Sequence, residues 1–238
     1  MAGIKLVDIT KSYTVEKESL QVLDKINLNI PSNKITVVLG RSGCGKTTLL
    51  RLVAGLEGYD SGEIKDVGLK RKAYVFQEDR LMPWLTVRKN ITFGIKNKKI
   101  NEEKIDAIIE TVGLSQFQSV YPSQLSGGMK QRVSIARAIA YEPDFIMMDE
   151  PFSALDYFTR EQMQKELLNI HRRSLCSILF VTHSIDEALI LGHKIVVLEK
   201  GSIKSEYEID DKAEHRDLLS DKFVELKKRI MNDLKVIE

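Results

Sequence analysis

Cysteine is nearly absent from this chain, with two residues in 238, Cys44 and Cys176. Two thiols cannot build a disulfide framework, and their scarcity fits a reducing compartment. Long apolar runs are missing too. None approaches the ~18 residues that a membrane-spanning helix needs. Charges throughout the first thirty residues argue against a secretory signal. Neither sign of charge dominates: 36 Lys and Arg face 34 Asp and Glu, leaving a net +2. No strong field for nucleic acid or anionic lipid follows from that balance. The chain shows no internal repeat and no low-complexity segment. What remains is 43% hydrophobic, enough for one large α/β domain or a core with a subdomain. The expected location is the cytosol, or a membrane surface reached through a partner.

Glycine concentrates in one place, Gly40-Arg41-Ser42-Gly43-Cys44-Gly45-Lys46-Thr47-Thr48. A β-branched apolar run, Ile35 to Leu39, precedes it, and an apolar helical pattern follows from Leu49 to Leu56. Strand, glycine-rich loop and helix are the context that a G-x-x-x-x-G-K-[ST] phosphate loop requires. Glycines let successive N–H groups turn inward toward an anion, and the positive end of the helix faces the same point. Lys46 is placed to reach the β- and γ-phosphates, and Thr47 offers a hydroxyl to Mg²⁺.

The rest of the chain divides by pattern. Residues 3–40 alternate as short strands, at Ile4 to Ile9 and again at Ile26 to Ile30. Residues 85–140 read as mainly helical, with Gly113 and Pro122 as breakers. Phe145 to Met148 and Ser177 to Val181 are continuous apolar runs, as in a parallel sheet covered on both faces. Residues 194–209 return to a strand pattern split by Gly201. Beyond Leu218, apolar residues at Leu219, Phe223, Leu226, Ile230 and Leu234 predict an amphipathic helix packed on the domain. Asp149 and Glu150 directly follow the first apolar run. A carboxylate at a strand end beside a phosphate loop helps to hold Mg²⁺, which suits Asp149. Glu150, one residue on, is placed to polarise the attacking water.

Leu125-Ser126-Gly127-Gly128-Met129-Lys130-Gln131-Arg132 narrows the family. Ser126 is a good helix N-cap, and Met129 to Tyr141 reads as a helix. This stretch resembles the LSGGQ-type signature of the ATP-binding cassette (ABC) ATPases. The resemblance covers essentially the whole chain, with the motifs in the family's order. It implies a P-loop α/β fold: a mostly parallel RecA-like core sheet, an N-terminal antiparallel β-subdomain and an inserted α-helical subdomain. The expected division of this single domain is 1–84 and 142–238 for core and β-subdomain, and 85–141 for the helical part.

The resemblance also implies roles. Tyr13 resembles the aromatic that stacks on adenine. Gly40 to Thr48 match Walker A, and Gln77 the Q-loop glutamine near Mg²⁺ and its water. Ser126, Gly127 and Gly128 match the signature, which in the family contacts ATP held by a second subunit. Asp149 and Glu150 match Walker B and the catalytic glutamate. Ser153 to Asp156 match the D-loop, with Asp156 in the trans contact, and His183 matches the switch histidine. His171, His193 and His215 read as surface residues. Met129 and Lys130 replace the glutamines often found after Ser-Gly-Gly, a departure that leaves ATP binding untouched. Cys44 reads as a small space-filler whose thiol pKa the nearby Lys46 and loop N–H groups would lower.

Taken together, these motifs point to an ATPase working as a head-to-tail homodimer. Without a membrane segment of its own, a transporter ATPase requires separate permease subunits. Leu81, Met82 and Trp84, next to Gln77 and around Pro83, match the surface that meets the permease in family members. The wording from Gln77 to Val87, with Glu150-Pro151-Phe152-Ser153-Ala154-Leu155-Asp156, is similar to importers of nitrate, sulfonate, taurine or related solutes. A solute-binding protein is then an indirect partner. An exporter or lipoprotein-release ATPase, or a soluble non-transport ABC ATPase, shares nearly every motif and stays open. Heptad insertions of the chromosome type are absent. The basic patches Lys70 to Lys72 and Lys96 to Lys99 lack interleaved aromatics and read as solvated surface, with no nucleic-acid partner.

Overall fold

The computed structural model describes residues 3–95, 100–209 and 216–234; the basic stretch Lys96 to Lys99 and His215 lie outside them. The N-terminal strands are longer than the alternation suggested. β1 (Gly3–Val15) and β2 (Glu18–Pro31) form one antiparallel hairpin. Glu16 and Lys17 make its turn, with φ of 49° and 75°. Two left-handed residues are what a tight hairpin needs, but glycine or asparagine usually marks them, so the turn left no sequence signal. Register shifts break the β1–β2 ladder near Ile9 and Lys11, which hides the length of each strand from a period-two reading.

The chain continues through β3 (Ile35–Leu39), α1 (Lys46–Ala54), β4 (Ser61–Val67) and β5 (Lys72–Val75). β4 pairs with β1 and closes a three-stranded sheet, β2-β1-β4. Helices α2 (Val87–Ile91), α3 (Glu102–Thr111) and α4 (Gly127–Ala140) follow, with short 3₁₀ turns at Ser115–Phe117 and Pro122–Gln124. Thr86, Asn101 and Ser126 cap these helices, each side chain accepting a first-turn N–H. Then come β6 (Phe145–Asp149), α5 (Tyr157–Ser174), β7 (Ser177–Thr182), α6 (Ile185–Leu191), β8 (Lys194–Glu199), β9 (Ser202–Glu208) and α7 (Asp221–Leu234).

The large sheet has the order β5-β6-β7-β3-β8-β9, parallel except for the antiparallel edge strand β9. Its central strands are buried along their whole length, so both faces need cover. Alternate residues serve two cores. Val38, Met147, Leu179 and Val196 face α1 and the three-stranded sheet. Val37, Met148, Phe180 and Val197 face the remaining helices.

Two expectations are corrected here. His171 is buried and His193 half-buried, with ring centroids 5.1 Å apart. His193 Nδ1 accepts the Ile35 N–H, and His171 Nδ1 lies 2.8 Å from the Cys176 carbonyl. Neither is a surface residue. Helix α7 begins after Leu219, which is exposed; Phe223 and Ile230 are its buried residues.

Candidate active site

β3 sits between β7 and β8, and the chain leaves its carboxyl end into α1. In an open α/β sheet that carboxyl edge is where ligands bind. The loop Gly40 to Gly45 crosses it, and the residues after β5, β6 and β7 lie along the same edge. A cavity of about 610 Å³ there is lined by Gly40 to Gly43, Gly45 to Thr48, Gln77, Glu150 and His183, together with the apolar Val22 and Leu234.

The loop's shape depends on two glycines. Gly45 has φ of 104°, and a Cβ on it would lie 2.9 Å from the Val22 carbonyl. A Cβ on Gly40 would lie 2.5 Å from both Cys44 Sγ and the Leu198 carbonyl oxygen. No side chain caps α1, whereas side chains cap α2 through α6. The first-turn N–H groups of α1 are therefore left for an anion.

Charge around this loop is arranged tightly. Lys46 is buried, and its Nζ donates to the Gly40 and Arg41 carbonyls, both at 3.0 Å. The same Nζ lies 3.8 Å from Glu150 Oε1. Thr47 Oγ1 donates to Asp149 Oδ1 at 3.0 Å, and Tyr74 donates to Asp149 Oδ2 at 3.4 Å. Burial pushes the Asp149 carboxyl up, with Thr47 and Arg51 working against it. A hydroxyl and one carboxylate are hard oxygen donors; Mg²⁺ typically takes few protein ligands and completes its shell with phosphate and water. Among the described residues no cluster of three or more metal-ligating side chains exists, so the donors fit a metal that arrives with a nucleotide.

Glu150 leaves β6 with φ of 45°, a left-handed conformation costing on the order of 1–3 kcal/mol for a non-glycine residue. Its N–H donates to the Val181 carbonyl. Its Oε2 lies 2.9 Å from His183 Nδ1. The His183 turn rests on a buried carboxylate that the sequence reading did not single out. Glu187 accepts from Thr182 Oγ1 at 2.6 Å and faces Arg160; burial pushes its carboxyl up.

Other predicted residues lie apart from the cavity. Tyr13 does not line it; its hydroxyl donates to Thr48 Oγ1, a residue of the cavity wall, at 3.5 Å. Ser126, Gly127 and Gly128 do not line it either. Ser126 and Gly127 are exposed, and Ser126 accepts the Met129 N–H. Asp156 caps α5 through Thr159 N–H, which holds its carboxyl below the usual range. Cys44 corrects an expectation: it is buried in the α1 core, and burial pushes its thiol up despite Lys46.

Gln77 is held from its neighbour. Gln131 Nε2 donates to the Phe76 carbonyl, and Arg137 donates to the Asp79 and Arg80 carbonyls. Helix α4 thus grips the segment after Gln77. The following loop turns on Asn90, fully buried, which accepts Met82 N–H and donates to the Met82, Leu85 and Thr86 carbonyls. Leu81 and Met82 are half-buried, and Leu81 packs on the core. Trp84, 69% exposed, is the part of that trio that faces outward. Neither Asn90 nor Arg137 stood out in sequence, because their roles depend on backbone carbonyls.

The sheet, loop and cavity define a P-loop nucleotide-binding α/β protein. More narrowly, the chain belongs to the ABC transporter family, whose family model matches residues 23–153. An uncharacterized ABC transporter ATP-binding protein of Methanocaldococcus jannaschii is 46% identical, over 98% of this chain and 91% of that protein. The aliphatic sulfonates import ATP-binding protein SsuB of Bacillus cereus is 39% identical over 96% and 94%. The nitrate import ATP-binding protein NrtD of Synechocystis is 40% identical over 87% and 82%. A dimeric structure of the ATP-binding cassette MJ0796 bound to ADP and Pi in a post-hydrolysis state superposes with a TM-score of 0.80. It is 29% identical and spans 87% of this chain and 99% of that one.

Proposed function

We propose that this chain is the ATP-hydrolysing subunit of an ABC importer for a small oxyanion or sulfonate-like solute, acting through separate permease subunits. One observation carries the reading: Lys46, Thr47, Gln77, Glu150 and His183, from four different segments, line one cavity on an uncapped helix end. The named import relatives support transport inward over the exporter and non-transport alternatives.

On ATP binding, Lys46 exchanges its carbonyl partners for the β- and γ-phosphates, and the α1 N–H groups take the remaining charge. Thr47 and Asp149, with Gln77 nearby, would hold Mg²⁺, which when bound neutralises charge developing on the phosphate oxygens. Glu150 takes a proton from the attacking water, and His183 orients Glu150 through their 2.9 Å contact. Tyr13, held beside Thr48, serves the adenine.

Ser126 to Gly128 lie outside the cavity, and the helix end they form is exposed. Two copies therefore pair head to tail, so that the signature and Asp156 of one copy complete the phosphate site of the other; the neighbour bound to ADP and Pi is likewise dimeric. Residues 85–141 act as the helical signature subdomain, and Trp84 on its Asn90-braced loop meets the permease. A solute-binding protein delivers the solute on the far side. No helix among the described residues is long and apolar enough to cross a membrane, so the permease supplies the membrane contact.

The test is phosphate release by the purified protein with ATP and Mg²⁺, followed by co-expression with candidate permeases. Hydrolysis that survives Glu150→Gln, or a protein that binds no permease of the importer class, overturns the reading.

A further inference from the structure

Tyr157 and Phe158 open α5 with rings 5.5 Å apart, edge to face, yet they are 72% and 80% exposed. Single exposed apolar side chains are ordinary; two bulky neighbours packed on each other make a small patch. Their scaffold is firm. Asp156 caps the helix, and Arg160 Nη2 donates to the Leu155 carbonyl while its guanidinium faces Glu187.

Chain position says what covers them. The segment leading to α5 starts at Glu150, in the wall of the phosphate cavity. It then passes the start of α4, where a Cβ on Gly128 would lie 3.3 Å from the Leu155 side chain and 3.4 Å from the Ala154 carbonyl. One short segment therefore joins the two half-sites of a single chain. In a head-to-tail pair each half-site faces the opposite half-site of the other copy, so the two-fold axis passes between the half-sites of each chain. That places the axis beside this segment, where residues meet their own counterparts.

We infer that Tyr157 and Phe158 form a self-complementary contact with the same two residues of a second copy, beside the two-fold axis. The inference rests on the head-to-tail reading of the nucleotide site. The contact adds apolar burial next to the D-loop and so strengthens the ATP-bound dimer.

The test uses the full chain carrying Glu150→Gln, which should accumulate the ATP-bound dimer, followed by light scattering over a range of concentrations. Adding Tyr157→Ser and Phe158→Ser should raise the dimer dissociation constant tenfold or more. Binding of a fluorescent ATP analogue by dilute monomer and the melting temperature should stay unchanged, since both side chains are exposed. Separately, Phe158→Cys should give a covalent dimer under copper phenanthroline when ATP is present, above the level set by the buried Cys44 and Cys176 of the parent. A dimer constant within twofold of the parent, with no cross-link in a dimer that still forms, overturns the aromatic contact alone. A Glu150→Gln parent that stays monomeric with saturating ATP overturns the head-to-tail reading and the contact with it.

Discussion

His183 Nδ1 lies 2.9 Å from Glu150 Oε2, while Lys46 Nζ lies 3.8 Å from the other oxygen of the same carboxylate. One carboxylate is thus held between two cationic or proton-bearing partners in the wall of the cavity beside the Gly40 to Thr48 loop. Glu150→Gln keeps the shape and removes the proposed base. Turnover should fall by about 10²- to 10⁴-fold, the usual range for losing a general base. ATP affinity by equilibrium titration should stay within a few fold. Steady-state hydrolysis at the parent rate would remove Glu150 from the chemistry.

Lys46→Ala removes an ammonium that is buried against two loop carbonyls. Nucleotide affinity should drop by about 1.5–3 kcal/mol, the worth of a charge-assisted hydrogen bond. Competition with a fluorescent nucleotide reads it, and affinity equal to the parent's would place the phosphates elsewhere.

Cys44 is buried, and its thiol pKa is raised. Maleimide should react slowly in the native protein with or without ATP, and fast once the chain is unfolded. Rapid native labelling that ATP suppresses would mean instead that the thiol faces the cavity.

The Trp84 loop separates docking from folding. With Trp84 69% exposed, Trp84→Ala should shift unfolding free energy by no more than about 0.5 kcal/mol, yet weaken permease co-purification. Asn90→Ala orphans the Met82 N–H and three carbonyl contacts and should cost about 2–3 kcal/mol, since unsatisfied buried groups carry that penalty. Denaturant titration of the two variants side by side checks the contrast; a large loss for Trp84→Ala would make it a core residue.

His193 gives a pH signature. Burial, helped by His171, Arg216 and Lys34, lowers its pKa from 6.5 to about 4. The fold therefore favours the neutral ring, whose Nδ1 must stay unprotonated to accept the Ile35 N–H. Stability from this residue is intact above pH 6.5 and is lost as pH falls toward 4, with one proton taken up on unfolding in that window. Urea midpoints of the parent and His193→Gln should converge between pH 7 and pH 4.5. A gap that does not change with pH would mean that His193 does not titrate in this range.

Sequence alone determined the strand-loop-helix unit at Gly40 to Thr48, the buried strands at Phe145 to Met148 and Ser177 to Val181, and the cap at Ser126; the cap at Asp156 came from the structure. Each element read from sequence is a local pattern, set by apolar continuity, glycine placement or a side chain reaching a nearby N–H. The long N-terminal hairpin escaped because Glu16 and Lys17 take left-handed turn positions without a turn residue's identity. Only the tertiary structure put His183 against Glu150, 33 positions apart, because parallel strands order themselves by packing and not by chain sequence. It alone made Gln131 and Arg137 clamps on the segment after Gln77, and turned two histidines inward. Those outcomes depend on which backbone carbonyls and which empty spaces distant segments bring together, and no local pattern of side chains encodes them.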